Sequence, residues 1–458
     1  MRAVSEGLVY VSDAYVKAVQ EKDGKMTVIG IDIGTTSICV LSVDCVSGKI
    51  LKKSVAANAF LPGADGFYAQ DAERIVTLAE GLADQLWQGD VAAVGISSQM
   101  HGILYVNEEG RACSPFFTWK NEKGNELWRD GKSYADWLST YTGCPMASGY
   151  GSVTHFFLQK TGRIPADAVK LVNIGDYLAM RMTGRREPQT EASLAASFGG
   201  FELGSGRFLT DALREAGMDV EYYPDIAGPE TVVGDWRGAK VFCACGDNQA
   251  SFLGAVKEPE HSISVNVGTG SQVSVFHKNL METEKADIRP FFGKGYLYVG
   301  ATLTGGKAYE KLAAFFEEIF LKAAGMKVNG YGILETFLKD TQTTDLQVFP
   351  SIYGARDGSS AAGMIRNWRE SNFHPGDLVA GFLNGMASEL SGQFQSMPEE
   401  LKKEKKKIIA SGNGLRKNAG LVRAVERQFG MPVSFSECEE EAAFGAARYA
   451  AEAVKGDA

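Results

Sequence analysis

Apolar residues along the chain gather in short runs closed by glycine, serine and threonine, and two of these runs share one plan. Thr27 to Val43 (TVIGIDIGTTSICVLSV) sets apolar residues on both sides of Gly34-Thr35-Thr36-Ser37, which predicts two strands joined by a tight polar turn, a β-hairpin. Ser262 to Phe276 (SISVNVGTGSQVSVF) repeats the plan around Gly268-Thr269-Gly270-Ser271. Ile31-Asp32-Ile33-Gly34-Thr35 overlays Val265-Asn266-Val267-Gly268-Thr269, so the chain carries an internal repeat and predicts two domains, each opening with a hairpin. Helical spacing marks Asp71 to Trp87 (Ile75, Leu78, Leu82, Leu86), and Val91 to Ser97 reads as a strand. Residues 125 to 185 alternate helical stretches with turns. In the second half, Gly306 to Ala324 and Asp377 to Gln395 read as long amphipathic helices. Lys407 to Ala410 reads as a strand entering Ser411-Gly412-Asn413-Gly414, and Leu415 to Phe429 as the helix after it. Strands alternating with helices predict α/β domains. The boundary is expected near residue 240, giving a leader 1–26, an N-terminal domain 27–240 and a C-terminal domain 241–458.

Composition narrows the classes of function. The chain's 458 residues exceed a single domain of ~150, and 45% hydrophobic with 22% charged residues is the balance of a folded protein. A net charge of -9 opposes a phosphate backbone, so nucleic acid is not an expected partner. The basic run Lys402 to Lys407 (KKEKKK) reads as a solvated helix end. No run reaches 18 uncharged apolar residues, so no membrane span is expected. The first 26 residues, interrupted by Glu6, Asp13 and Lys17, lack a secretory core and read as a short helix or a disordered tail. Seven scattered cysteines without a Cys-x-x-Cys pair read as thiols of a reducing cytoplasm, and five histidines without ligand spacing predict no zinc site.

Three glycine turns carry candidate chemistry. Gly34-Thr35-Thr36-Ser37 offers backbone N–H groups and hydroxyls to a phosphate, and Asp32, two residues earlier, offers an oxygen to Mg2+. An ordinary hairpin turn explains the same residues equally well, until the second copy at Gly268-Thr269-Gly270 is counted. Ser411-Gly412-Asn413-Gly414 opens a helix whose first turns contain Asn418, and helix N-termini attract anions or polar rings. The P-loop pattern is absent, and so is the GxGxxG fingerprint. Asp247, in Cys245-Gly246-Asp247-Asn248-Gln249, follows a strand and a glycine. There it would accept a proton from a sugar hydroxyl or merely cap a helix.

Asp32-Ile33-Gly34-Thr35-Thr36-Ser37, Ser98-Gln99-Met100-His101-Gly102, Gly246-Asp247-Asn248-Gln249-Ala250, Gly268-Thr269-Gly270-Ser271 and Ser411-Gly412-Asn413-Gly414 occur in that order. Together they resemble the FGGY carbohydrate kinases of the actin/hexokinase/heat-shock ATPase superfamily, over residues 27 to 450. Gln99-Met100-His101-Gly102 is similar to the ketose kinases for xylulose and sedoheptulose. Phe117-Thr118-Trp119-Lys120-Asn121, Ala195-Ala196-Ser197-Phe198-Gly199, and Ser411-Gly412 with Leu415 and Asn418 resemble the sedoheptulose branch, and Glu441 to Ala447 resembles the family's closing helix.

The resemblance implies an α/β fold of two actin-like (ribonuclease H-like) domains with mixed sheets around a central ATP cleft. It implies an ATP- and Mg2+-dependent kinase that phosphorylates a terminal hydroxyl of a ketose, taking sedoheptulose to sedoheptulose 7-phosphate, with D-xylulose as the alternative acceptor. By the same carry-over, Asp32 and Asp247 lie at the metal. Gly34, Thr35, Thr36 and Ser37 lie at the terminal phosphates. Gly268, Thr269 and Gly270 form the second turn, and Gly305, Gly306, Gly412, Asn413 and Asn418 border the adenosine. Gln99, Met100, His101, Trp119, Asn121, Asp247 and Asn248 meet the sugar, and Asp247 is the base. Many family members carry an aspartate and an arginine where this chain has Asn121 and Lys123, which opens the acceptor's identity. The rival reading from another class is a nucleotide switch of actin or heat-shock type, which would lack the Gln99-Met100-His101-Gly102 segment; a binding-only sugar sensor is a third. Monomer and homodimer are both open.

Overall fold

A computed structural model describes residues 26–63, 66–341, 343–354 and 362–456. The leader expected over 1–26 lies outside the described residues except for Met26. Contacts divide the chain into two units. The first runs to Gly254 and adds Pro290–Gly293 and the residues from Glu440 onward; the second holds Ala255–Arg289 and Lys294–Glu439. The division therefore falls after Gly254 rather than near residue 240. The reason is local: strand Ala239–Phe242 pairs in parallel with a strand of the first unit's sheet and carries the following residues with it.

In the first unit, β1 (Thr27–Ile33), β2 (Ser37–Asp44) and β3 (Ile50–Ala57) form an antiparallel meander. On the other side of β1, β4 (Val91–Ser98) pairs in parallel, followed by β5 (Val232–Trp236) and β6 (Ala239–Phe242), in the order β5-β6-β4-β1-β2-β3. A second sheet repeats the scheme with β7 (Ser262–Val267), β8 (Ser271–His277), β9 (Asp287–Phe291), β10 (Gly295–Thr302), β11 (Lys407–Ser411) and β12 (Val433–Phe435), in the order β9-β10-β8-β7-β11-β12. Here too the first strand pairs antiparallel with the second (β7 with β8) and parallel with a distant one (β7 with β11). Both hairpins close with three residues, Gly34–Thr36 and Gly268–Gly270, so the repeat read from sequence is a repeat of topology.

β1 is buried along nearly its whole length because both its faces are covered. Ile29, Ile31 and Ile33 join a core with Ile75, Val76, Ala79 and Leu82 of helix α1 (Ala72–Leu86), whose N-terminus Asp71 caps by accepting from Arg74 N. The opposite face meets the closing helix Glu441–Gly456. A Cβ added to Gly30 would stand 2.1 Å from Ala443 O, and one added to Gly95 of β4 would stand 2.0 Å from Ala446 O. Gly445 in turn lies against Ala250 O of helix Asp247–Ala255. Glycine facing alanine lets the closing helix seat directly on the sheet. The Gly95→Ala variant should lower the apparent melting midpoint by about 5 °C or more, because backbone must shift to admit one methyl. Calorimetry on the full chain checks this, and an unchanged midpoint would show that the helix does not depend on that contact.

Two local expectations are corrected. The helix expected over Leu415–Phe429 is two, Asn413–Arg416 and Ala419–Phe429, because the Asn418 side chain accepts from Leu421 N and starts a second helix. The lysine run is not wholly solvated. Lys405 Nζ donates to the carbonyls of Pro259, Glu260 and Phe276, and its burial pulls its pKa down to about 8.

Candidate active site

Pairing register builds the first unit's site. Asp32 of β1 lies opposite Ser97 of β4, and Cys245–Gly246 pairs along the other edge of β4 at Ser97 and Ser98. Three parallel strands therefore end together, and Asp32, the Ser98-Gln99-Met100-His101 segment and Asp247 emerge at their carboxyl ends, where α/β sheets present ligands. Asp247 opens helix Asp247–Ala255, so its carboxylate sits in the field of a helix N-terminus. Gly246 N donates to Ser193 Oγ at 3.0 Å, and the buried Glu191, the N-cap of helix Ala192–Ser197, accepts from Ser193, so a polar pair at that helix start fixes the strand end just before Asp247.

The Asp32 carboxyl is raised to about 7, first by loss of water around it and then by the negative charge of Asp247; a hydrogen bond from Ser97 Oγ works against both. Two repelling carboxylates with oxygen donors suit a hard divalent cation, which Mg2+ accepts from one or two carboxylates while keeping waters and phosphate oxygens. Among the described residues no group of three His, Cys, Asp or Glu side chains is placed to hold a metal.

Around the pair lie the residues expected at the sugar. His101 has φ +72°, a strained conformation for a residue with a Cβ. Its N–H donates to Ser197 Oγ at 2.9 Å, and its Nδ1 lies 2.7 Å from Ser197 O, which makes Nδ1 a donor. Its ring stacks on Tyr150 at 4.5 Å. Met100 packs against Gly246. Asn248 Oδ1 is buried with no hydrogen-bond partner among the described residues, an acceptor suited to a hydroxyl donor. Trp119 is 45% exposed, and its Nε1 donates to Thr35 Oγ1 at 2.9 Å.

Asn121 behaves otherwise. It is buried, its Nδ2 donates to Thr154 Oγ1 at 3.0 Å, and its Oδ1 accepts from Lys123 N at 3.0 Å. Each end of its amide thus makes one hydrogen bond inside the protein. Lys123 pairs with Glu126 and lies over the Phe67 ring.

In the second unit three glycine turns, far apart in sequence, converge at the end of β7. Gly306 N donates to Gly268 O at 2.8 Å, and a Cβ on Gly305 would stand 2.5 Å from the Gly270 carbonyl carbon. Gly412 has φ +81° and lies against Val267 O, which demands glycine on both counts. Asn418 caps its helix and hydrogen-bonds the Tyr309 hydroxyl, so its side chain serves structure before ligand. Thr269 and Asn413 sit on the converging turns.

Sequence reasoning missed Gln70, Asn58, Ser97, Tyr150 and the Glu191–Ser193 pair, all of which touch site residues. Only Ser197 carried a signal, inside the Ala195–Gly199 segment. The rest are polar residues whose partners lie tens of residues away.

The family model for the FGGY family of carbohydrate kinases, N-terminal domain, matches residues 27–254. Sedoheptulokinase of Mus musculus is 27% identical over 92% of this chain and 96% of its own, and xylulose kinase of Streptomyces rubiginosus is 24% identical over 94% and 88%. Among solved structures, ligand-bound xylulose kinase from Lactobacillus acidophilus superposes with a TM-score of 0.79 at 19% identity, covering 94% of this chain and 89% of that one. Plasmodium falciparum glycerol kinase with ADP gives 0.77 at 16%, covering 94% and 90%. The fold is the two-domain actin-like ATPase fold, and the enzyme class is that of the ATP-dependent kinases acting on carbohydrates. The chain belongs to the FGGY carbohydrate kinases. None of its described helices is long and apolar enough to cross a membrane.

Proposed function

We propose that the protein transfers the γ-phosphoryl group of ATP to the terminal primary hydroxyl of a ketose, with sedoheptulose as the acceptor and Asp247 as general base. The observation that carries this reading is the shared strand end: Asp32, Asp247 and the Gln99-Met100-His101 segment issue from adjacent parallel strands. Phosphoryl transfer needs in-line positioning and charge neutralisation more than covalent help; this group of residues offers positioning and a base, and its carboxylates suit the cation that would neutralise the phosphates. Asp247 accepts the proton of the acceptor hydroxyl as its oxygen attacks phosphorus; the bond from phosphorus to the leaving ADP oxygen breaks as the new one forms. His101 Nε2 and Asn248 Oδ1 accept from further sugar hydroxyls and hold the chain of the sugar in register. In the first unit Gly34, Thr36 and Ser37 are suited to terminal phosphates; in the second, the cluster of Gly268, Thr269, Gly270, Gly305, Gly306, Gly412 and Asn413 is suited to a nucleotide. Asp32 and Asp247 would hold Mg2+, which when bound neutralises the phosphate oxygens. A reducing cytoplasm suits seven cysteines that form no disulfide.

One feature supports sedoheptulose over D-xylulose: the similarity to sedoheptulokinase is greater in identity than that to xylulose kinase at comparable coverage. With the Asn121 side chain hydrogen-bonded inward, the acceptor wall is drawn by His101, Tyr150 and Trp119. A panel of five- and seven-carbon ketoses and polyols, read as sugar-dependent ADP release, tests the proposal. The seven-carbon ketose is expected to give the highest kcat/KM. Preference for D-xylulose would replace the acceptor, and ADP release indifferent to every sugar would favour a nucleotide switch.

A further inference from the structure

We propose that Gln70 is a positioning residue that couples the acceptor wall at Trp119 to the phosphate turn at Gly34–Thr36. This deepens the kinase reading and rests on it. Gln70 is fully buried on a two-residue strand, Ala69–Gln70, that pairs with Phe116–Phe117 just before Trp119. Its Nε2 donates to Thr35 O at 2.8 Å, and its Oε1 accepts from Gln99 Nε2 at 2.8 Å. Gln99 Oε1 accepts from Thr35 Oγ1 at 3.2 Å, which closes a ring of hydrogen bonds from the Thr35 carbonyl to the Thr35 hydroxyl. The indole N–H of Trp119 donates into that ring at Thr35 Oγ1.

The ring has a geometric consequence. Asn58 Nδ2 holds Gly34 O at 3.0 Å while Gln70 holds Thr35 O. In a trans peptide the N–H points opposite to the C=O, so anchoring these two carbonyls aims the N–H groups of Thr35 and Thr36 away from the protein's amides, toward where an anion is bound. Thr35 is thus committed through its hydroxyl to Gln99 and Trp119, and contributes to the turn through its backbone. Trp119 exposes a broad face and fastens its indole nitrogen to this ring. A sugar settling on Trp119 and on the Gln99-Met100-His101 segment therefore loads the same ring that aims the phosphate turn. By reciprocity, nucleotide on the turn must favour sugar at the wall by the same factor.

The test uses the full-length chain with ATP, Mg2+ and the best ketose of the panel. Gln70→Met keeps the volume and removes both amide contacts; Trp119→Phe keeps an exposed ring and removes the indole donor. Each variant is expected to lower kcat/KM for sugar by about tenfold, since a buried partner is left unsatisfied. Each is also expected to raise sugar-free ADP release relative to sugar-dependent release and to shrink the tightening of nucleotide binding that sugar produces. The double variant should lose little more than the worse single one, because both interrupt the same hydrogen-bonded path from Trp119 through Thr35 to the phosphate turn. Trp119→Phe, at an exposed site, keeps the test decisive if Gln70→Met folds poorly. Independent, multiplicative losses in the cycle, or a Trp119→Phe protein whose nucleotide affinity responds to sugar as in the parent, would overturn the coupling. A parent chain with no sugar-dependent turnover would instead remove the kinase reading.

Discussion

Asp247→Asn is expected to bind nucleotide with near-parental affinity while kcat for the ketose falls about 10³-fold, within the range that positioned general bases supply. Asparagine preserves the shape and can still start the helix Asp247–Ala255, so the fold around Gly246 and Met100 survives. It cannot take the hydroxyl proton. Calorimetric titration with nucleotide and coupled measurement of ADP release separate the two effects. A variant that phosphorylates the sugar at more than about a tenth of the parental rate would show that another group receives the proton.

The second large effect belongs to Asp32→Asn. Turnover should drop about 10²- to 10³-fold, because the charge that would anchor the metal-bound phosphates is gone. The protein without ligand should at the same time become more stable. Asp32 is stripped of water and faces Asp247, which raises its pKa in the folded chain from 3.8 to about 7. The sign follows from linkage: below pH 3.8 the carboxyl is protonated in both folded and unfolded chains and imposes no penalty. As pH rises from 3.8 through 7 the unfolded chain ionises first, and folding loses stability. The asparagine variant does not titrate there, so its advantage should grow across that window to roughly 1–3 kcal/mol near neutral pH, after allowance for solvent screening. Urea unfolding at pH 4 and pH 7.5 in the absence of Mg2+ reads the difference. Equal stability at the two pH values would mean that Asp32 is well solvated, and the metal assignment would lose its electrostatic basis. Stability gained where function is lost is the usual signature of a site held in an unfavourable arrangement for its ligand.

The way the chain discloses this site has a physical pattern. The hairpins at Gly34–Thr36 and Gly268–Gly270 were legible because a three-residue turn between apolar runs is decided locally, by glycine's freedom and by strand propensity. Helix Gly306–Ala324 and strand β4 were legible for the same reason, and Asp32 and Asp247 stood out through their place after a strand. Asn121 and Asn418 show the limit. Each is placed at a ligand by its motif, but the motif gives no sign that the Asn121 amide hydrogen-bonds Thr154 and Lys123 or that Asn418 caps a helix. Lys405, read as solvated, turns inward onto three carbonyls.

The linear pattern of residues was enough to determine two repeated β-hairpin halves, an acidic net charge, and the family of kinases to which the motifs belong. Tertiary structure alone decided that the closing helix returns to the first sheet, that the division falls after Gly254, and that Gln70 and Gln99 bind both ends of Thr35. The difference lies in range: turn and strand preferences are set by neighbours in sequence, whereas a buried amide takes whichever partner the fold delivers, and that partner is unspecified until strands dozens of residues apart lie side by side.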